Sequence, residues 1–109
     1  MLKPLSVHIL LALAENESHG YALMRAIREQ SGGQVAVQTA SFYRYLGNLM
    51  DDGLVAESLR HRETDDPRRG AYYRITARGR QVLAAEKKRL TDLVAQLNRV
   101  RLSTRKADA

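Results

Sequence analysis

Apolar side chains recur at helical spacing in four separate stretches of this chain, and only the interval between residues 54 and 75 breaks into short β-like runs. Pro4 suits the first turn of a helix, and Leu5, Ile9, Leu10 and Leu13 follow at helical spacing as far as Ala14. Glu15, Asn16 and Glu17 break that stripe, and Ser18 is of the type that caps a second helix by accepting from its free backbone N–H groups. The second helix carries Leu23, Met24 and Ile27 on one side and Arg25, Arg28 and Glu29 on the other. It should stop at Ser31-Gly32-Gly33, where glycine supplies the left-handed backbone of a helix end, and Val35 and Val37 suggest a very short strand beyond.

A third helix is expected from Thr39, a candidate cap, with Phe42, Leu46, Leu49 and Met50 on its inward face. The opposite face holds Ala40, Ser41, Arg44, Gly47 and Asn48, small and hydrogen-bonding residues that suit close entry into a major groove. Gly47 costs about 1 kcal/mol against alanine inside a helix, which the approach of a neighbouring helix or of DNA would offset, and packing is the first reading. Gly53 ends this helix. Leu54 to Leu59 then reads as a strand, and Tyr72 to Ile75, aromatic and β-branched, as its partner. Between them Pro67 and Gly70 shape a turn that presents Arg68 and Arg69 together, although Glu63, Asp65 and Asp66 offset part of the charge of this loop.

Thr76 is placed to cap a fourth helix running to about Leu102, roughly 39 Å at 1.5 Å per residue. Leu83, Leu90 and Leu97 repeat every seven residues with Leu93 and Val100 between them, a coiled-coil-like seam interrupted by Glu86. So long a helix on so small a domain favours pairing with a second chain over packing on its own. The resulting fold class is mainly α with a small β-hairpin wing, a winged helix-turn-helix with a long C-terminal dimerisation helix. Residues 1–75 are expected to form the winged-helix DNA-binding region, 76–102 the dimerisation helix, and 103–109 a polar, frayed tail.

Composition narrows the function. With 109 residues and a net charge of +6, the chain is one small domain that favours a polyanionic partner, because Lys and Arg that neutralise phosphates release condensed counterions. The absence of cysteine excludes disulfides and thiolate chemistry, and His8, His19 and His61 stand apart, so neither a metal site nor a cofactor is expected. No Ser-His-Asp order, glycine-rich phosphate loop or paired carboxylates in an apolar setting points to an enzyme. The apolar run from Val7 to Ala14 falls far short of the roughly 20 residues that cross a bilayer, so a soluble cytoplasmic protein is expected.

The expected partner is double-stranded DNA. Arg44 and Asn48 have the geometry to read guanine and adenine edges, Thr39, Ala40 and Ser41 open the same helix, and Tyr43 on its flank can reach a phosphate while its ring packs inward. Arg68 and Arg69, with Tyr72 at the root of the wing, complete the expected DNA contact set. A different class stays open: a winged-helix module that binds a protein partner without specific DNA binding.

His19-Gly20-Tyr21, Ser41-Phe42-Tyr43-Arg44, Asp52-Gly53-Leu54-Val55 and Tyr72-Tyr73-Arg74-Ile75-Thr76 with Gly79, in this order and spacing, resemble the PadR family of bacterial transcriptional regulators. Ser41-Phe42-Tyr43 stands where the family commonly has Thr-Leu-Tyr, a change that keeps a hydroxyl and an apolar anchor. The single C-terminal helix is similar to the compact subgroup, which implies a homodimer held by that helix with help from the first, here through Leu5 and Ile9. The resemblance also implies repression of nearby promoters, often relieved by a small aromatic molecule. The chain has no tryptophan, so the paired-tryptophan sandwich of some multidrug-binding relatives is absent.

Overall fold

The computed structural model describes residues 2–34, 37–58 and 71–102. Four helices and three short strands follow in the order α1 (Pro4–Glu15), β1 (Ser18–His19), α2 (Gly20–Gln30), α3 (Thr39–Asp51), β2 (Val55–Glu57), β3 (Tyr72–Ile75) and α4 (Ala77–Asn98). Pro4 sits in the first turn of α1, where its missing N–H leaves no bond unmade. At the end of α2, Gly32 and Gly33 take φ of +63° and +80°, and the Gly33 N–H returns to the Arg28 carbonyl at 2.9 Å.

Two helix caps differ from expectation. His19, not Ser18, caps α2, its Nδ1 accepting the Ala22 N–H at 3.3 Å, because Ser18 and His19 are drawn into a strand that pairs antiparallel with Tyr73 and Tyr72. Gln38 precedes α3 without a side-chain bond, so Thr39 is its first helical residue rather than its cap. Thr76 caps α4 as expected, accepting from the Gly79 N–H at 3.0 Å while its hydroxyl donates to the Gly53 carbonyl at 2.6 Å.

The sheet has the order β1-β3-β2, with Val55 opposite Ile75 and Glu57 opposite Tyr73. Its third strand is Ser18–His19; Val37 belongs to no element, and Val35 lies outside the described residues. β2 is shorter than the Leu54 to Leu59 run suggested: Leu54 is in the turn after α3, and Ser58 has left the strand. The Ser58 hydroxyl donates to the Glu17 carboxylate, tying the end of β2 to the segment before β1.

The core draws on every helix and strand except β1 and α4, with Ile9, Leu10, Leu13, Leu23, Ile27, Phe42, Leu46, Leu49, Leu54, Val55 and Ile75 buried. α4 joins through its first turns alone, where Val82 and Leu83 rest on that core. Gly79 allows this approach, since a Cβ there would collide with the Leu54 carbonyl oxygen and lie 2.7 Å from Ile75 Cγ1. At 1.5 Å per residue the 22-residue helix is about 33 Å long, so its second half projects past the domain.

Candidate nucleic-acid interface

The position of α3 follows from its periodicity. Phe42, Leu46 and Leu49 are buried against α1, which turns Ala40, Arg44, Gly47 and Asn48 away from the core. Thr39, Ala40, Arg44 and Asn48 are exposed, and Ser41 is half-buried. The Arg44 guanidinium carbon lies 5.5 Å from the centre of the half-buried Tyr45 ring, and Lys3 Nζ approaches that ring at 5.9 Å. One aromatic ring thus gathers a cation from α3 and another from the segment before α1, close to the outward face of α3. The sequence reading did not single out Lys3, because only folding carries residue 3 beside residue 45.

Tyr43 occupies the expected flank, exposed and set edge-on to Phe42 with ring centres 5.1 Å apart. Its hydroxyl end packs onto Gly20 at the start of α2, where any Cβ would collide with it. The first residue of α2 and the fifth of α3 are therefore held in direct contact, fixing how the two helices of the helix-turn-helix meet. The next residue, Tyr21, is 64% exposed at the beginning of α2. It was quoted in the sequence only as part of a motif, and its place off the Leu23, Met24 and Ile27 stripe was the available sign of exposure.

Tyr72 is half-buried, with the His19 ring edge-on at 5.4 Å. Beside it, burial raises the Tyr73 pKa above the usual phenol value, and the neighbouring Tyr43 and Glu57 add to the effect, so Tyr73 stays neutral. Arg68 and Arg69, with the rest of the expected wing tip, lie outside the described residues.

The proposed dimer residues separate in space. Leu90, Leu93 and Leu97 are exposed along the projecting half of α4, Val100 is exposed just past its end because the helix stops at Asn98 rather than near Leu102, Leu83 is half-buried on its own domain, and Leu5 is half-buried in α1. Ile9 is a correction: it is wholly enclosed by its own chain and has no surface to give a partner. Its place four residues after Leu5 put it on the same helical stripe, but that stripe is wide and Ile9 is its core-facing edge. An open apolar groove of about 590 Å³ runs between α1 and α4, lined by Val7, Leu11, Leu83, Leu90 and Val94 with Arg80 and Lys87 among its polar residues. Glu86, expected as an interruption of the seam, is buried, and Arg89 donates to it at 3.0 and 2.6 Å. These hydrogen bonds hold its carboxyl below the usual carboxylate range against the opposing effect of burial.

Among the described residues no cluster of side chains could hold a metal ion, and no helix is long and apolar enough to cross a membrane. Residues 9–85 match the model of the transcriptional regulator PadR-like family. A PadR family transcription regulator from Clostridium difficile superposes with a TM-score of 0.74 at 17% identity, covering 89% of this chain and 97% of that one. A PadR-like transcriptional regulator from Bacillus cereus gives 0.71 at 22% identity, covering 87% and 88%. A transcriptional regulator from Clostridium thermocellum gives 0.71 at 21%, covering 86% and 89%. No curated protein matches the sequence.

Proposed function

The chain belongs to the PadR-like family of transcriptional regulators, and from that membership we propose that it represses transcription as a homodimer on a pseudo-palindromic promoter site. The family consists of regulators, not enzymes, and its winged-helix fold carries DNA binding. The observation that carries the finer reading is the outward face of α3, where Arg44 and Asn48 stand exposed among small residues while Phe42, Leu46 and Leu49 anchor the helix from behind. In this reading α3 enters the major groove, Arg44 and Asn48 reach base edges, and Thr39, Ser41, Tyr43 and Tyr72 with the wing arginines Arg68 and Arg69 contact the flanking backbone. Ala40 keeps the groove-facing surface low.

Two copies are joined through the exposed Leu90, Leu93 and Leu97 stripe of α4, with Leu5 of α1 at its edge, which sets the two α3 helices at a fixed separation. A small planar effector would act from the groove between α1 and α4, because a ligand there binds one separation better than another.

Arg44→Ala and Asn48→Ala test the reading. Each should weaken binding to a duplex selected by the wild-type protein about 5- to 100-fold while changing affinity for unrelated duplex much less. Equal proportional losses on both duplexes would rule out direct base reading by α3.

A further inference from the structure

Among the described residues three glycines sit inside or at the start of helices, and two of them have a visible internal reason. Gly20 makes room for Tyr43, and Gly79 makes room for Leu54 and Ile75. Gly47 has neither that reason nor a conformational one. Among the described residues the glycines with positive φ are Gly32, Gly33 and Gly53, so Gly47 has an ordinary helical backbone that alanine would adopt. Among the described residues a Cβ built on it meets nothing within 4 Å, so none of them supplies the packing explanation favoured by the sequence. The ninth residue of a 13-residue helix is thus the poorest common helix former after proline, with no benefit visible among the described residues.

Its position shows where a benefit would arise. Gly47 lies three residues after Arg44, seven after Ala40 and four before Asp51, on the side of the outward face that these residues share, away from Phe42, Leu46 and Leu49. Gly47 is half-buried, and the missing side chain leaves a notch in that face with helix backbone at its floor. Glycine is used where a backbone must come close to a ligand. The exposed Asp51 carboxylate, one turn further on, indicates what passes the notch: a phosphate there would meet a like charge, whereas a base edge presents no net charge and can offer an amino donor.

Building on the DNA-binding reading above, we propose that Gly47 is a specificity-determining position, through which the α3 backbone closes directly onto base-pair edges between the reach of Arg44 and that of Asp51. The discrimination is steric. A base pair whose major-groove edge fits the notch is accepted, and a side chain at position 47 would fill that space and lift the helix away from it.

The test uses the full-length protein. A duplex library with a random core is selected with wild-type protein, and the recovered consensus duplex and an unrelated duplex of equal length become the probes for Gly47→Ala. Free Gly47→Ala should melt about 4–8 °C higher than wild type, because alanine favours the helix and its Cβ meets nothing. Its affinity for the consensus duplex should nevertheless fall about 5- to 100-fold, with less than about a twofold change on the unrelated duplex. Reselection with the variant should change the preference at one or two adjacent base pairs in each half-site and nowhere else.

A variant that melts higher and keeps both the affinity and the preference of wild type overturns the proposal. Equal losses on both duplexes place the notch against the sugar-phosphate backbone and overturn it as a specificity position. A lower melting temperature shows that the Cβ meets its own chain, which removes the premise. A wild-type protein that recovers no consensus refutes sequence-specific DNA binding itself, and this proposal with it.

Discussion

Replacing both Leu90 and Leu97 with lysine tests whether the projecting half of α4 is where two copies meet. In a single chain these leucines keep 39% and 45% of their surface exposed, and neither belongs to the buried core. Full burial of a leucine stabilises by about 1.5–3 kcal/mol, so covering the exposed part is worth about 0.6–1.3 kcal/mol for each. The double substitution removes that contribution at two positions on each of two chains, about 2.5–5 kcal/mol in total, and at 1.4 kcal/mol per decade raises the dimer dissociation constant roughly 50- to 5,000-fold. Added ammonium groups facing each other across the seam push in the same direction. The fold of each chain should survive, because the substituted positions are solvent-facing and lysine is a good helix former. Sedimentation equilibrium over a wide concentration range reads the dissociation constant, circular dichroism checks the helices, and titration onto the selected duplex reads function. Binding to two half-sites about 34–36 Å apart needs two linked α3 helices, so operator affinity should collapse with the dimer. A double variant that sediments with the wild-type dissociation constant places the seam elsewhere, and a monomer that keeps full affinity makes the two-half-site arrangement wrong.

Replacing Arg68 and Arg69 with alanine should weaken binding to all duplexes by a similar factor and flatten the log-log dependence on salt by up to about two units per protomer, measured by titration at several ionic strengths. An unchanged slope and affinity would remove the wing from the interface. Glu86 gives a pH dependence whose sign follows from its partner. Its carboxyl is held below the usual range in the folded chain, so its stabilising effect is present above the unfolded glutamate value, about 4.3, and is lost as pH falls through the folded one. Arg89 stays charged throughout this range, its pKa raised first by the same hydrogen bonding. Urea unfolding between pH 7 and pH 3 should therefore show a decline in wild type that is shallower in Glu86→Gln, and parallel declines would show that the pair does not contribute.

Much of the fold was legible in the residues because it depends on contacts along the chain. Pro4 at the head of α1, the left-handed glycines after α2 and the Thr76 cap are consequences of local backbone chemistry, and the inward faces of α2 and α3 follow from spacing alone. The outward set of Ala40, Arg44, Gly47 and Asn48 followed from the same periodicity, since a helix that buries Phe42, Leu46 and Leu49 has no freedom about what it turns outward. Charge and motif spacing pointed to nucleic acid and to the family.

Tertiary structure decided what depends on residues far apart in sequence. Ser18 was a sound cap by residue type, but pairing with β3 drew it into a two-residue strand too short to leave a periodic signal, and His19 took the cap. Ile9 shared a stripe with Leu5, and only the packing of the other helices showed that it is enclosed. Glu86 read as a break in an apolar seam until folding buried it beside α1 with Arg89 across one turn. Gly47, inside α3, and Gly79, in the first turn of α4, are both helical glycines by sequence. The neighbours that fold against one and not the other set them apart, because a missing Cβ acquires meaning only from what stands in the space it leaves.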